Sequence, residues 1–230
     1  VSAGSAVITA QQLAVPNKFN SATISAILTV RKSTPTISFS IADKTYGDAD
    51  FSISATSNSP ESISYSSSDS SVATISGTTV TIVGAGTSII TATQIEGDNF
   101  TSATVTTSFR VLKASAPISF SDTTKTYNDP DFDLSASSSS TGSYTYSSSD
   151  TSVASISGST VTIIGAGTAV ITVNQAEDAN YLAGTTTATL TVLKDDPTVS
   201  LADLTKTYND PNFALNASSN STGSLTYSSS

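Results

Sequence analysis

Apolar residues alternate with Ser and Thr along most of the chain. Ile37, Phe39 and Ile41 are spaced by Ser, as are Phe51, Ile53 and Ala55. Ile63 and Tyr65 follow, then Val72 and Ile75, Val80 and Ile82, Ile90 and Ala92, and Val105, Thr107, Phe109 and Val111. A period of two with β-branched residues on one side and hydroxyls on the other describes strands with one buried face. Turn-forming stretches separate them: YGDAD, SNSPE, SSSD, SGTT, GAG and EGDN. No ten-residue window carries a helical period, so the chain is expected to be all-β. About seven short strands in each stretch of about 80 residues is the pattern of an immunoglobulin-like β-sandwich. With no Cys and no Trp in the chain, the antibody type is excluded, and the core is expected to be Ile, Val, Leu and Phe, with a Tyr near each third strand.

The pattern repeats. Tyr46, Tyr127 and Tyr208 are 81 residues apart, and so are Gly84 and Gly165, Gln94 and Gln175, and Phe100 and Tyr181. Residues 65–94 align without a gap with residues 146–175. The expected organisation is tandem: a C-terminal part of a repeat (1–33), whole repeats at 34–114 and 115–195, and an N-terminal part of a repeat (196–230). Broken repeats at both ends suggest a window from a longer array. A second arrangement joins the broken ends of neighbouring chains into a filament. Ser230 aligns with Ser68 and Val1 with Val83, so such a joint lacks only the counterpart of 69–82.

Composition narrows the function. More than a third of the residues are Ser or Thr, yet 37% are hydrophobic and regularly placed, which favours a folded chain over a disordered one. The net charge of −9 argues against nucleic acid and anionic membrane surfaces as partners. No run approaches the roughly 18 apolar residues of a membrane span, so no membrane insertion is expected. The absence of His and Cys removes the commonest general base and the thiol nucleophile.

Several strings carry a family resemblance. Tyr65 and Tyr146 open Y-S-S-S-D-x-S-V-A, Gly84 and Gly165 open G-A-G-T, Asn99 and Asn180 precede an aromatic after an acidic loop, and a closing strand runs through Phe109 and Leu190. These features resemble the bacterial Ig-like (Big-type) tandem repeats of large bacterial surface and adhesin-like proteins. The resemblance covers essentially the whole chain. It implies tandem Ig-like sandwiches in an extracellular or cell-surface protein, where such repeats mostly act as spacers, and phage virion proteins share the fold.

Five features offer residue types with candidate chemistry. Asp48/Asp50, Asp129/Asp131 and Asp210/Asn212 recur in K-T-Y-x-D-x-x-F. Closely spaced carboxylates suit calcium, with Asp122, Asp195 and Asp196 near the repeat joints. The preferred reading is a turn, because Asn-Asp-Pro caps and bends a backbone, and calcium at the bend is kept as the alternative. Tyr127 and Phe132 are expected to anchor that turn to the core. Lys44, Glu96 and Asn99, recurring as Lys125, Glu177 and Asn180, offer the residue types of a Lys–Asn isopeptide bond; the polar context of Lys44 points instead to a solvated lysine. GAGT at 84–87 and 165–168 lacks the lysine and helix of a phosphate loop and is expected to be a turn or bulge. The Ser/Thr runs and the sequons at Asn99, Asn216 and Asn220 are open to glycosylation, with an unmodified polar sheet face preferred.

No catalytic, cofactor-binding or metal residue is therefore assigned, and the chain is expected to be no enzyme. The expected function is structural: a repeat array forming the stalk or shaft of an extracellular bacterial surface fibre or giant adhesin. Its partners are neighbouring repeats of the same longer chain, and other copies if it forms a filament. The alternatives are glycan- or receptor-binding repeats and a phage virion fibre or decoration protein.

Overall fold

A computed structural model describes residues 1–229; Ser230, the last residue of the 196–230 segment and the partner of Ser68 in the filament alignment, lies outside the described residues. The described residues form strands and turns with no helix. They divide into two compact units. The first is Val1–Ala116 with the loop tips Ser139–Gly142 and Ala176–Ala183; the second is Pro117–Ser138, Ser143–Gln175 and Gly184–Ser230.

The first unit opens with a hairpin of β1 (Gly4–Gln12) and β2 (Ala22–Val30). Its sandwich follows. Short strands β3 (Ile37–Ser38), β4 (Lys44–Thr45), β5 (Phe51–Ser52) and β6 (Thr56–Ser57) precede β7 (Ile63–Ser67), β8 (Ala73–Ser76) and β9 (Thr79–Ile82). The two long strands are β10 (Gly86–Gln94) and β11 (Ala103–Leu112). One sheet has the order β4-β11-β10-β7, with β4 parallel to β11; the other has β5-β9-β8, and β3 pairs with β6. A four-stranded and a three-stranded sheet of this kind around one core make an immunoglobulin-like sandwich.

Period-two alternation holds along β10, where Ser88, Ile90, Ala92 and Gln94 point inward. Ile90 packs in one core cluster with Phe109 and Val111 of β11 and with Val72, Val80 and Ile53. Phe51 leans on Phe109 with ring centroids 5.6 Å apart. Tyr65 packs on the same core, and its hydroxyl accepts a bond from the Ala55 amide at 2.7 Å, which places the expected third-strand tyrosine. On β11, Thr104, Thr106 and Ser108 take outward positions, where polar groups keep water contact.

The second unit has the same plan. Its strands are β12 (Thr123–Thr126), β13 (Phe132–Asp133), β14 (Tyr144–Ser148), β15 (Ala154–Ser157), β16 (Thr160–Ile163), β17 (Gly167–Gln175) and β18 (Gly184–Leu193), followed by a small β19 (Val199–Ser200) and β20 (Ser218–Ser219) pair. The sheets run β12-β18-β17-β14 and β13-β16-β15. Leu134, Val153, Val161, Ile171, Leu190 and Val192 fill the core.

One buried polar residue organises a loop. The Gln94 side chain is fully enclosed, donates to the Ser59 and Glu61 carbonyls at 3.1 and 2.7 Å, and accepts from the Ser57 hydroxyl at 2.6 Å. An amide with three partners is tolerated inside a core that would penalise an unpaired one.

The β1–β2 hairpin matches β10–β11 in sequence but has no facing sheet among the described residues. Leu28 occupies the repeat position of Phe109, yet it is 49% exposed where Phe109 is 0% exposed. Truncation at these matched positions should therefore diverge. Phe109→Ala is expected to lower the urea-unfolding free energy of the first unit by about 3–5 kcal/mol, whereas Leu28→Ala is expected to stay within about 1 kcal/mol.

Candidate functional site

K-T-Y-x-D-x-x-F folds as a clip. The Asp48 amide bonds the Thr45 carbonyl at 3.0 Å, and the Asp48 carboxylate accepts from the Thr45 amide at 2.9 Å. Asp129 with Thr126 and Asp210 with Thr207 reproduce both bonds. The residue before the Asp carries a positive φ: 89° at Gly47 and 75° at Asn128 and Asn209. Gly and Asn are the residues that reach this region at least cost, which explains their exchange between copies. The second carboxylate turns elsewhere: Asp50 accepts from the Thr81 hydroxyl at 2.9 Å and Asp131 from Thr162 at 3.0 Å. The pair thus closes a turn and ties it to β9 in the first unit and to β16 in the second.

The lysine of the motif departs from the expectation of a solvated side chain. Lys44 lies over the Phe51 ring at 5.0 Å, Lys125 over Phe132 at 4.7 Å and Lys206 over Phe213 at 5.0 Å. A cation over an aromatic face at this range is attractive and covers apolar surface with the lysine stem. Tyr127 also departs from expectation. Phe132 packs against the core, but Tyr127 is 41% exposed and belongs to no core cluster.

The reason appears in the first unit, where the equivalent Tyr46 meets Tyr181 edge to face at 5.4 Å and 88°. Tyr181 belongs to the loop tip Ala176–Ala183, and four further bonds hold that tip. The Ala85 amide donates to Asn180 Oδ1 at 2.9 Å. The Ala114 amide donates to the Asn180 carbonyl at 2.9 Å, and the Leu182 amide donates to the Ala114 carbonyl at 2.8 Å. Lys113 pairs with Glu177 at 3.1 Å.

The same set recurs on the hairpin. Ala3 donates to Asn99 Oδ1 at 2.8 Å, Ser33 to the Asn99 carbonyl at 2.9 Å, and Thr101 to the Ser33 carbonyl at 2.9 Å, while Lys32 pairs with Glu96. Glu96 and Asn99, grouped by sequence with Lys44, thus bond Lys32 and Ala3 instead, and Glu177 and Asn180 bond Lys113 and Ala85. The GAGT stretch bends between β9 and β10 and presents the Ala85 amide. The signal for this latch was in the sequence: Lys32 and Lys113 stand 81 residues apart, as Glu96 and Glu177 do.

Asp69, Asp150, Asp178 and Asp122 cap backbone amides. Asp69 and Asp150 each accept from the hydroxyl and amide of the Ser two residues on, Ser71 and Ser152, and these bonds hold both carboxyls below their ordinary pKa. Asp178 is held well below its usual range, first by the Thr141 amide at 2.7 Å and then by the Asn180 and Tyr181 amides. Asp122 accepts from the Thr189 amide and Asp195 from the Asn128 side chain. Among the described residues no three acidic groups gather within reach of one metal ion.

Two loops have exchanged an acidic group between the repeats. Glu61 and Gly97 in the first align with Gly142 and Asp178 in the second. A Cβ on Gly97 would stand 2.2 Å from Glu61 Oε1, and one on Gly142 would stand 1.8 Å from the Ala176 carbonyl oxygen. In the first repeat the Glu61 side chain thus occupies the space beside Gly97, and in the second the Ala176 backbone occupies the space beside Gly142.

No protein-family model and no curated protein matches the sequence. Solved structures do. Drosophila N-cadherin EC1-3 is similar over 78% of this chain and 75% of its own, with 14% identity and a TM-score of 0.30. The titin domains z1z2, solved in complex with telethonin, are similar over 73% of this chain and 100% of theirs, with 17% identity and a TM-score of 0.31. Domains 4 and 5 of the S-layer protein SbsC are similar over 57% and 76%, with 15% identity and a TM-score of 0.27. The sheet orders described above define the class: an all-β chain of immunoglobulin-like sandwiches.

The exchanged acidic group gives a direct test. Gly97→Asp alone is expected to destabilise the first unit, and Glu61→Gly with Gly97→Asp to recover most of that loss. The coupling between the two, read from a double-mutant cycle of urea melts, should be about 0.5–3 kcal/mol.

Proposed function

We propose that the chain is a segment of a bacterial Ig-like repeat array that serves as the stalk or shaft of an extracellular surface fibre or giant adhesin. The observation that supports this most is the latch, built twice from the same residue types at the same repeat positions: Lys32, Glu96 and Asn99, then Lys113, Glu177 and Asn180. A binding module has no need to spend its loop tips in this way. A spacer built of repeats uses the same contacts in each copy, and its reach grows with repeat number.

The mechanism is mechanical. Each sandwich buries its own core, and the loops at its end carry the next joint. The outward Ser and Thr keep the sheet faces hydrated, and the negative charge keeps neighbouring shafts apart. Neither whole repeat carries a cluster of exposed aromatics on a sheet face, which favours the spacer over a glycan-binding repeat.

Inserting one and two extra copies of residues 115–195 after Lys194-Asp195 tests the reading. Small-angle scattering should show the maximum dimension rising by an equal step with each copy. A compact particle whose size grows as the cube root of mass would contradict it, as would a saturable affinity of the parent chain for a defined sugar. Calcium has no part in this mechanism, so the melting temperature is expected to be the same with and without EDTA.

A further inference from the structure

We infer that the surface around Tyr127, Ile164, Ala166, Lys194 and Asp195 is a docking site for the Glu-x-x-Asn-aromatic loop of a further Ig-like repeat. These residues line one open hollow in the second unit. They align with Tyr46, Val83, Ala85, Lys113 and Ala114, which hold such a loop in the first unit.

Every bonding group of the occupied latch has its counterpart here, and each is open. The Ala166 amide has no partner among the described residues, whereas the Ala85 amide meets Asn180. Lys194 makes no ion pair among the described residues, whereas Lys113 pairs with Glu177. The backbone of Asp195 stands where Ala114 both donates to Asn180 and accepts from Leu182. Tyr127 and Ile164 are 41% and 48% exposed, leaving apolar area for an aromatic ring. The surroundings are partly in place as well. Residues 220–222, which match 139–141, already line the adjoining hollow with Tyr127 and Asn128.

The chemistry selects the occupant. Lys194 calls for a carboxylate, the Ala166 amide for a side-chain carbonyl three residues later, and Tyr127 for a ring on the next residue. That order is Glu177, Asn180, Tyr181 in the loop already seen, and Glu96, Asn99, Phe100 in its relative. A generic apolar ligand would leave the lysine and the amide unanswered. An aromatic edge against Tyr127 adds attraction beyond its buried area.

This inference rests on the array reading, and its test is separate. Ser230 aligns with Ser149, so appending the sequence of residues 150–195 after Ser230 completes a further repeat with its own loop. Amide hydrogen exchange should slow roughly tenfold or more at Ala166 and Asp195 in the extended chain, with Ala85 and Ala114 unchanged. Replacing the Asn of the appended loop by Ala, or Tyr127→Ala, should remove the added protection. Unchanged exchange at Ala166, with the appended strands themselves protected, would overturn the proposal while leaving the scattering test of the array untouched. If the appended strands stay unprotected, the synthetic peptide of residues 175–184 decides. Titrated into the 230-residue chain to millimolar concentration, it should shift the Ala166 and Lys194 resonances and lose the effect with Tyr127→Ala. No shift at those residues overturns the docking site.

Discussion

The hairpin of β10 and β11 carries the first unit. Its inward residues, Ile90, Ala92, Phe109 and Val111, are the middle of the core. Its far end, Gln94, reaches back to the carbonyls of Ser59 and Glu61 and fixes the loop between β6 and β7. Its near end gives the Ala85 amide on one strand and Lys113 with Ala114 just past the other, and these hold the Asn180 loop. A sandwich of this size has no disulfide to hold it, so one strand pair must supply both the buried area and the anchors for loops at its two ends.

Much of this was legible in the sequence, because burial on one face forces period two. The strands through Phe51, Tyr65, Ile90 and Phe109 lie where alternation puts them. The turn in K-T-Y-x-D-x-x-F was legible from its Asp, and its positive φ explains why Gly47 stands in for Asn. What stayed hidden was pairing over long distances. Lys44 gives no local sign that it lies over Phe51. Tyr46 and Tyr127 share one sequence context but differ in environment, because only the first has Tyr181 beside it. Glu96 and Asn99 share with Lys44 the residue types of an isopeptide bond, a reading that the polar context of Lys44 disfavours, and the lysine that pairs with Glu96 is Lys32.

Comparing the copies shows which positions are constrained by contact. Ser88 is buried among Ser67, Ser68 and the Asp69 amide, while the matching Ala169 is buried with no hydroxyl at all. A satisfied polar cluster and a small apolar side chain are interchangeable there, since neither leaves an orphaned group. Gly97 leaves the space that the Glu61 side chain fills, and Gly142 leaves the space that the Ala176 carbonyl fills. The latch residues, by contrast, keep their chemistry in both copies. Their Lys, Glu and Asn meet partners set by geometry that a substitution elsewhere cannot restore.

The Asn180 side chain holds its loop against the glycine-rich bend. Amide exchange of Ala85 in Asn180→Ala, with Ala3 as an internal reference, tests it most directly. The account predicts faster exchange at Ala85 and Ala114, and no change at Ala3, whose partner Asn99 is intact. Equal exchange at Ala85 in the parent and the variant would contradict it.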